Sequence, residues 1–236
     1  AMRKTFLAIT LFLAFSKAAL AQFGNCTASE MRTYVDSATG NTITMLTDTM
    51  KNDRFLYQTD PMWTADGKYL LFRSSSRGND KEVESTLPNG EKRKWTPTQI
   101  YFIEMATGKI IQATEGPNLG SAFLANKTNR MFVSRKEKEN WNMYVMDLDK
   151  FFADVKQGKV GKPSAYETFI GTFPTEMGRP GGYAVDCNDD YAYITVEREG
   201  TEEEKERMMK NAFLPESNQP VKIKPTLRSE ERRVGK

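Results

Sequence analysis

The sequence predicts an all-β fold of repeated four-stranded antiparallel sheets, and three observations carry that expectation. A polar turn followed at once by an apolar strand occurs three times at constant spacing. A second hairpin, built on Ala-Thr-Gly, alternates with it. The composition, 39% hydrophobic with 11% aromatic, suits a β-rich globular chain.

The first repeated unit is "WTADGKYLLFRS", opening at Trp63. Asp66-Gly67 is a strong hairpin signal, because Gly takes positive φ without steric cost and Asp tolerates it. "LANKTNRMFVSR" opens at Leu124 and "VDCNDDYAYITV" at Val185, each 61 residues after the unit before it. Each has an apolar residue, a polar turn and a strand, and Asp66, Lys127 and Asn188 hold matching turn positions. Equal spacing on three occasions marks a repeat rather than unrelated hairpins.

The second hairpin appears in "YVDSATGNTITMLTD" from Tyr34 and "YFIEMATGKIIQATEG" from Tyr101. "MYVMDLDKF" from Met143 opens the same way, its turn replaced by an insert through Pro163. Two hairpins make four strands per repeat. A lone four-stranded sheet cannot bury both faces, so such sheets stack face to face around an axis as the blades of a β-propeller. About three blades are expected over residues 22–227, with almost no helix. Closed rings need about four blades or more, so these read as the N-terminal blades of a larger ring, with a bare face on the third. The Tyr34 hairpin, ahead of the first full repeat, is expected to close that ring by pairing with the last blade. Gly78 to Thr98 reads as a polar loop between the second and third strands of the first blade. Thr201 to Asn211 reads as a short exposed helix in the corresponding loop of the third.

Residues 1–21 have the order of a secretory signal peptide: Arg3 and Lys4, an apolar run from Thr5 to Phe15, then Ala19-Leu20-Ala21. Its apolar part is too short to span a bilayer, and no other stretch reaches the roughly 18 apolar residues of a transmembrane helix. The mature chain is expected to be soluble and exported, periplasmic or extracellular. At the other end, residues 228–236 ("RSEERRVGK") follow Leu227 abruptly and without apolar period. They read as a non-native tail or as a disordered basic one. The 34 basic and 31 acidic residues leave +3, and Arg3, Lys4 and Lys17 of the leader account for that excess. Nothing in this balance indicates nucleic acid or an anionic membrane as partner. Cys26 and Cys187 permit one disulfide or two independent thiols.

The chain contains no histidine, which excludes a Ser-His-Asp triad, a histidine metal cluster and an imidazole base within these residues. Asp186, Asn188 and Asp190 with Glu197 match part of a calcium-loop pattern, but Tyr191 stands where that loop needs Gly. Their alignment with two plain hairpin turns makes a turn the better reading. Glu202 to Glu206 reads as a solvated helix face. Lys92-Arg93-Lys94-Trp95 either offers cations and an aromatic face to an anionic sugar or forms a solvated loop. The candidate binding residues stand just before the innermost strands, whose ends surround a propeller axis. They are Arg54, Tyr57, Gln58 and Asp60 in the first blade, and Arg179 and Tyr183 in the third. Arg179 lies in the Gly/Pro run "MGRPGGYAV", as a forked carboxylate donor or as a rim residue.

"YVDSATGNTITMLTD", "FLYQTDPMWTADGKYLLFRSS" and "IYFIEMATGKIIQATEG" are similar in order and spacing to the opening of the oligogalacturonate lyases. The resemblance runs from about Tyr34 to Val196, and Leu56-Tyr57-Gln58 is its more specific part. It implies a seven-bladed ring acting on an acidic oligosaccharide, an oligogalacturonide, by metal-assisted β-elimination. It also implies a divalent metal, manganese, held by histidines and a glutamine of later blades, so that no metal ligand falls in this chain. The family carries a histidine shortly before the Tyr57-Gln58 position, where this chain has Lys51-Asn52-Asp53-Arg54. The "DGKYLLF" and "ATG" pieces are shared with Tol-type periplasmic propellers and with the propeller domains of exported serine peptidases. A non-catalytic binding propeller or a peptidase propeller is therefore the alternative reading.

Overall fold

In a computed structural model the described residues are 23–58, 60–78, 82–86, 90–173 and 177–198, the side chains of 177–183 and 194–198 excepted. Their first sheet has five antiparallel strands. In spatial order these are β1 (Cys26–Thr27), β9 (Ile110–Gln112), β8 (Gln99–Glu104), β5 (Tyr69–Ser74) and β4 (Asp53–Arg54). The second has β10 (Leu119–Leu124), β11 (Arg130–Glu137), β12 (Asn140–Asp147) and β13 (Glu167–Thr172), in chain order. The third pairs β14 (Met177–Val185) with β15 (Ala192–Arg198). Two hairpins stand apart as sheets of their own, β2 (Arg32–Val35) with β3 (Thr42–Met45) and β6 (Val83–Thr86) with β7 (Lys92–Trp95).

The repeat is reproduced residue by residue. Trp63 faces Leu70, Leu124 faces Met131 and Val185 faces Ala192 across the three hairpins. Each turn is closed by the same backbone bond: Thr64 N–H to the Tyr69 carbonyl, Ala125 to Arg130, and Asp186 to Tyr191. The Ala-Thr-Gly turns also agree, with Gly40 donating to the Asp36 carbonyl and Gly108 to that of Glu104, both glycines at φ 70°. A side chain at Gly108 would be strained by that φ, and its Cβ would lie 2.0 Å from Ser29 Oγ. The calcium-like segment is a hairpin turn, with Asp186 Oδ1 accepting from Tyr191 N–H at 2.7 Å. Its neighbour Asp189 ties the third sheet to the second, taking the amides of Asn126, Lys127 and Thr128 at 2.7 Å each. Burial works against the charged form of Asp189, but these amides outweigh it and hold its pKa below the usual carboxylate value.

Stacking of the sheets explains why their central strands are apolar on both faces. Tyr69 to Phe72 and Ile100 to Ile103 are all buried. Tyr69, Leu71 and Phe102 pack toward Leu124, Met131 and Val133 of the second sheet. Phe72, Tyr101, Ile103 and Ile110 face the other way, where Leu46 at the end of the β2–β3 hairpin covers them. Phe123, Phe132 and Met143 cover Val185 and Ala192 of the third sheet.

Three expectations need correction. The Met143 insert holds a ten-residue helix, α1 (Leu148–Gln157), although almost no helix was expected there. Asp147 caps it by accepting from Lys150 N–H, Gly158 ends it at φ 64°, and Leu148, Phe151 and Phe152 form one buried face. That face wedges between the sheets: Phe152 stacks on Tyr69 at 3.7 Å and meets Phe102 edge-on at 5.1 Å. The Gly78 to Thr98 insert is the β6–β7 hairpin rather than a plain loop, paired from Val83–Trp95 to Thr86–Lys92. The first blade also carries β1 as a fifth strand, paired with β9, which leaves the expected pairing of β2–β3 with a last blade unaffected. Finally, the Gly/Pro run around Arg179 lies inside β14, not in a loop ahead of it. The pairing of β14 with β15 shifts register on either side of Pro180-Gly181, which lets an edge strand accommodate both residue types. The thiols of Cys26 and Cys187 are free and exposed. No described helix is long and apolar enough to cross a membrane. The signal-peptide, Thr201-helix and tail readings lie outside the described residues.

Candidate functional site

The chain from Arg54 to Trp63 does not run straight along the sheet edge. Asp53–Arg54 pair with β5, and the chain rejoins it at Met62, whose carbonyl accepts from Leu71 N–H at 2.7 Å, and at Trp63, while Leu56, Tyr57 and Asp60 turn toward a cleft. Leu56, Tyr57 and Asp60 form one wall of this cleft, which measures about 1220 Å³ and lies between the first and second sheets. The β6–β7 hairpin, the strand-to-strand connection at Pro117-Asn118 and the β11–β12 hairpin complete it. The connection is held by a buried polar cluster. Gln99 Nε2 donates to the Gly116 carbonyl at 2.7 Å, and Thr114 Oγ1 donates to Gln99 Oε1 at 2.8 Å.

Arg54 and Arg73 are directly opposite each other on β4 and β5, and both line the cleft. Like charges facing each other across a strand pair are destabilising. Arg54 Nε donates to Asn52 Oδ1 at 3.3 Å. Neither arginine has a carboxylate partner among the described residues. Arg93 and Lys136 add two more cations to the lining, against the single acid Asp60. Tyr57, Trp95 and Trp141 supply aromatic surface, Tyr57 being 68% exposed. Such a surface fits a polyanionic ligand with flat apolar ring faces, as an acidic sugar has.

β4 is set by a buried ion network behind it. Arg77, 6% exposed, donates to both oxygens of Glu30 at 2.8 and 2.6 Å and to both of Asp53 at 2.8 and 2.6 Å. The hydrogen bonds from Arg77 hold the Glu30 carboxyl down at about 2, against the effect of burial.

Of the residues expected from sequence, the cleft brings together Arg54, Tyr57 and Asp60, and also Arg93 and Trp95. Arg54 sits on the first strand rather than ahead of it, and Gln58 is exposed outside the cleft lining. Arg179 and Tyr183 lie on β14, beside β10, in the sheet beyond the cleft. Sequence reasoning missed Arg73, Lys136 and Trp141. Their only signal was a cation at the end of an apolar strand, or an indole just after a polar turn. Among the described residues no group of three or more His, Cys, Asp or Glu is placed to hold a metal ion.

No protein-family profile matches the chain, and no curated protein does. Successive antiparallel sheets packed face to face define the class: these are the blades of a β-propeller. Among solved structures, the chain is similar to an oligogalacturonate lyase in complex with manganese, with a TM-score of 0.50 and 20% identity. It is equally similar to the oligogalacturonate lyase of Vibrio parahaemolyticus, with a TM-score of 0.50 and 21% identity. Each match covers 72% of this chain and 36% of the other, so the chain spans little more than a third of those propellers. At this identity the likeness establishes the propeller fold.

Proposed function

We propose that the chain supplies the N-terminal blades of an exported propeller that binds acidic oligosaccharides and, as the intact protein, cleaves oligogalacturonides by β-elimination. The observation that carries this reading is the cleft, where the facing Arg54 and Arg73 lack carboxylate partners. In β-elimination a base takes the proton from the carbon beside the carboxylate. The bond to the leaving oxygen breaks, a carbon–carbon double bond forms, and the leaving oxygen gains a proton. Charge builds on the carboxylate, and cations placed beforehand lower that barrier. Arg54 and Arg73 are assigned to hold uronate carboxylates, and Tyr57 to stack on a sugar ring. The manganese implied by the resemblance is assigned to later blades, and no step is routed through it.

The intact protein, given de-esterified pectin oligomers and manganese, is expected to raise the ultraviolet absorbance of an unsaturated uronate and to stop when a chelator is added. Binding without turnover would make it a carbohydrate-binding propeller instead. A Gly-x-Ser-x-Gly segment and an α/β domain downstream would make it a peptidase propeller.

Arg179, on β14, is proposed as a further carboxylate donor. Arg179→Ala in the intact protein is expected to lower kcat/KM about ten- to a hundredfold, the size of a lost charge-assisted hydrogen bond, with Lys restoring part of it. Unchanged kcat/KM would return Arg179 to the rim.

A further inference from the structure

We infer that the β6–β7 and β11–β12 hairpins form a second sugar-carboxylate subsite, which makes the cleft favour longer, unesterified uronate chains. This rests on the reading of the cleft as an acidic-oligosaccharide site. Arg93 and Trp95 are two apart on β7, so they project from the same face of the hairpin, and both line the cleft. Lys136 and Trp141 face each other on β11 and β12, and both line it from the neighbouring blade. Each hairpin thus offers one cation and one indole, the pair that a uronate needs for its carboxylate and its ring face.

Four observations argue against a merely solvated pair of loops. Neither Arg93 nor Lys136 has a carboxylate partner among the described residues. A Cβ at Gly120 would lie 2.6 Å from Trp141 Cζ3 and 2.4 Å from Ser134 Oγ. The bare backbone of β10 therefore admits the Trp141 indole and sets it on the cleft wall. The cleft, at about 1220 Å³, also exceeds the roughly 300–1,000 Å³ that suits a single small ligand. The β6–β7 hairpin belongs to neither blade sheet and leaves Trp95 37% exposed, so its place in the blade core does not account for the indole.

The test follows tryptophan fluorescence while the intact protein is titrated with de-esterified oligogalacturonides of increasing length, and with their methyl esters. Emission is expected to change with the acids far more than with the esters, and affinity is expected to rise with length. In Arg93→Ala and Trp95→Ala that gain with length is expected to shrink about tenfold, while Arg93→Lys keeps part of it. Far-ultraviolet circular dichroism checks that each variant is folded. Affinity that rises with length equally in the wild type and both alanine variants would overturn the subsite. So would length-independent binding by a wild type that still binds the dimer, which leaves the parent reading standing. Failure to bind any oligomer sinks both. Binding with the expected length dependence but without turnover sinks only the lyase reading.

Discussion

Arg77→Ala is expected to lower stability by about 3–5 kcal/mol, the usual cost of removing one partner from a buried ion pair. The Arg77 side chain is 6% exposed, and those of Glu30 and Asp53, which it serves, are 26% and 10% exposed. Removing it leaves Glu30 and Asp53 facing one another without a cation. Asp53 begins β4, so the damage reaches Arg54 in the cleft. Urea denaturation of the wild type and the variant measures the loss. A pH series identifies its source. Glu30 titrates near 4.5 in a free chain and at about 2 when held by Arg77. A depressed carboxyl contributes stability above its unfolded pKa and loses it as pH falls through its folded one. The wild type should therefore lose this contribution between about pH 4.5 and 2, and Arg77→Ala should show a flatter profile there. Parallel pH profiles would refute the network's role.

Phe152→Ala is expected to cost about 3–5 kcal/mol, the range for deleting a buried aromatic ring. Its ring lies against Tyr69 of β5 and Phe102 of β8, while its backbone belongs to the insert of the next blade. The loss thus falls on the joint between blades rather than on the helix alone. Thermal unfolding should show a lower Tm, and Phe152→Leu should recover part of it by refilling the space. A loss below about 1 kcal/mol would mean that the neighbouring rings close over the gap.

The blades were legible because their signals are local. A hairpin turn is specified by two or three residues with special φ, and a strand by its run of apolar side chains. Those features recur at Trp63, Leu124 and Val185 whatever surrounds them, and the strands pair as the spacing requires. The helix over Leu148–Gln157 carried its own local marks, Asp147 before it and Gly158 after it. The repeat marks an insert there in place of the Ala-Thr-Gly turn and gives it no helix. The helix's apolar face has meaning only against β5 and β8, some eighty and fifty residues earlier in the chain.

The candidate site divides in the same way. Sequence alone singled out Arg54, Tyr57, Asp60, Arg93 and Trp95 from residue type and position. It could not show that Arg54 faces Arg73, or that Lys136 and Trp141 share their cleft. These neighbours lie on strands whose pairing and stacking come from burying apolar faces, and that burial sets distances between residues far apart in the chain. Repeat and strand content were thus determined by the sequence itself, as was the lack of histidine within these residues. The pooling of indoles with cations that lack carboxylate partners in one cleft was decided by the packing of the blades, because charge and ring act on a ligand only through their positions relative to one another.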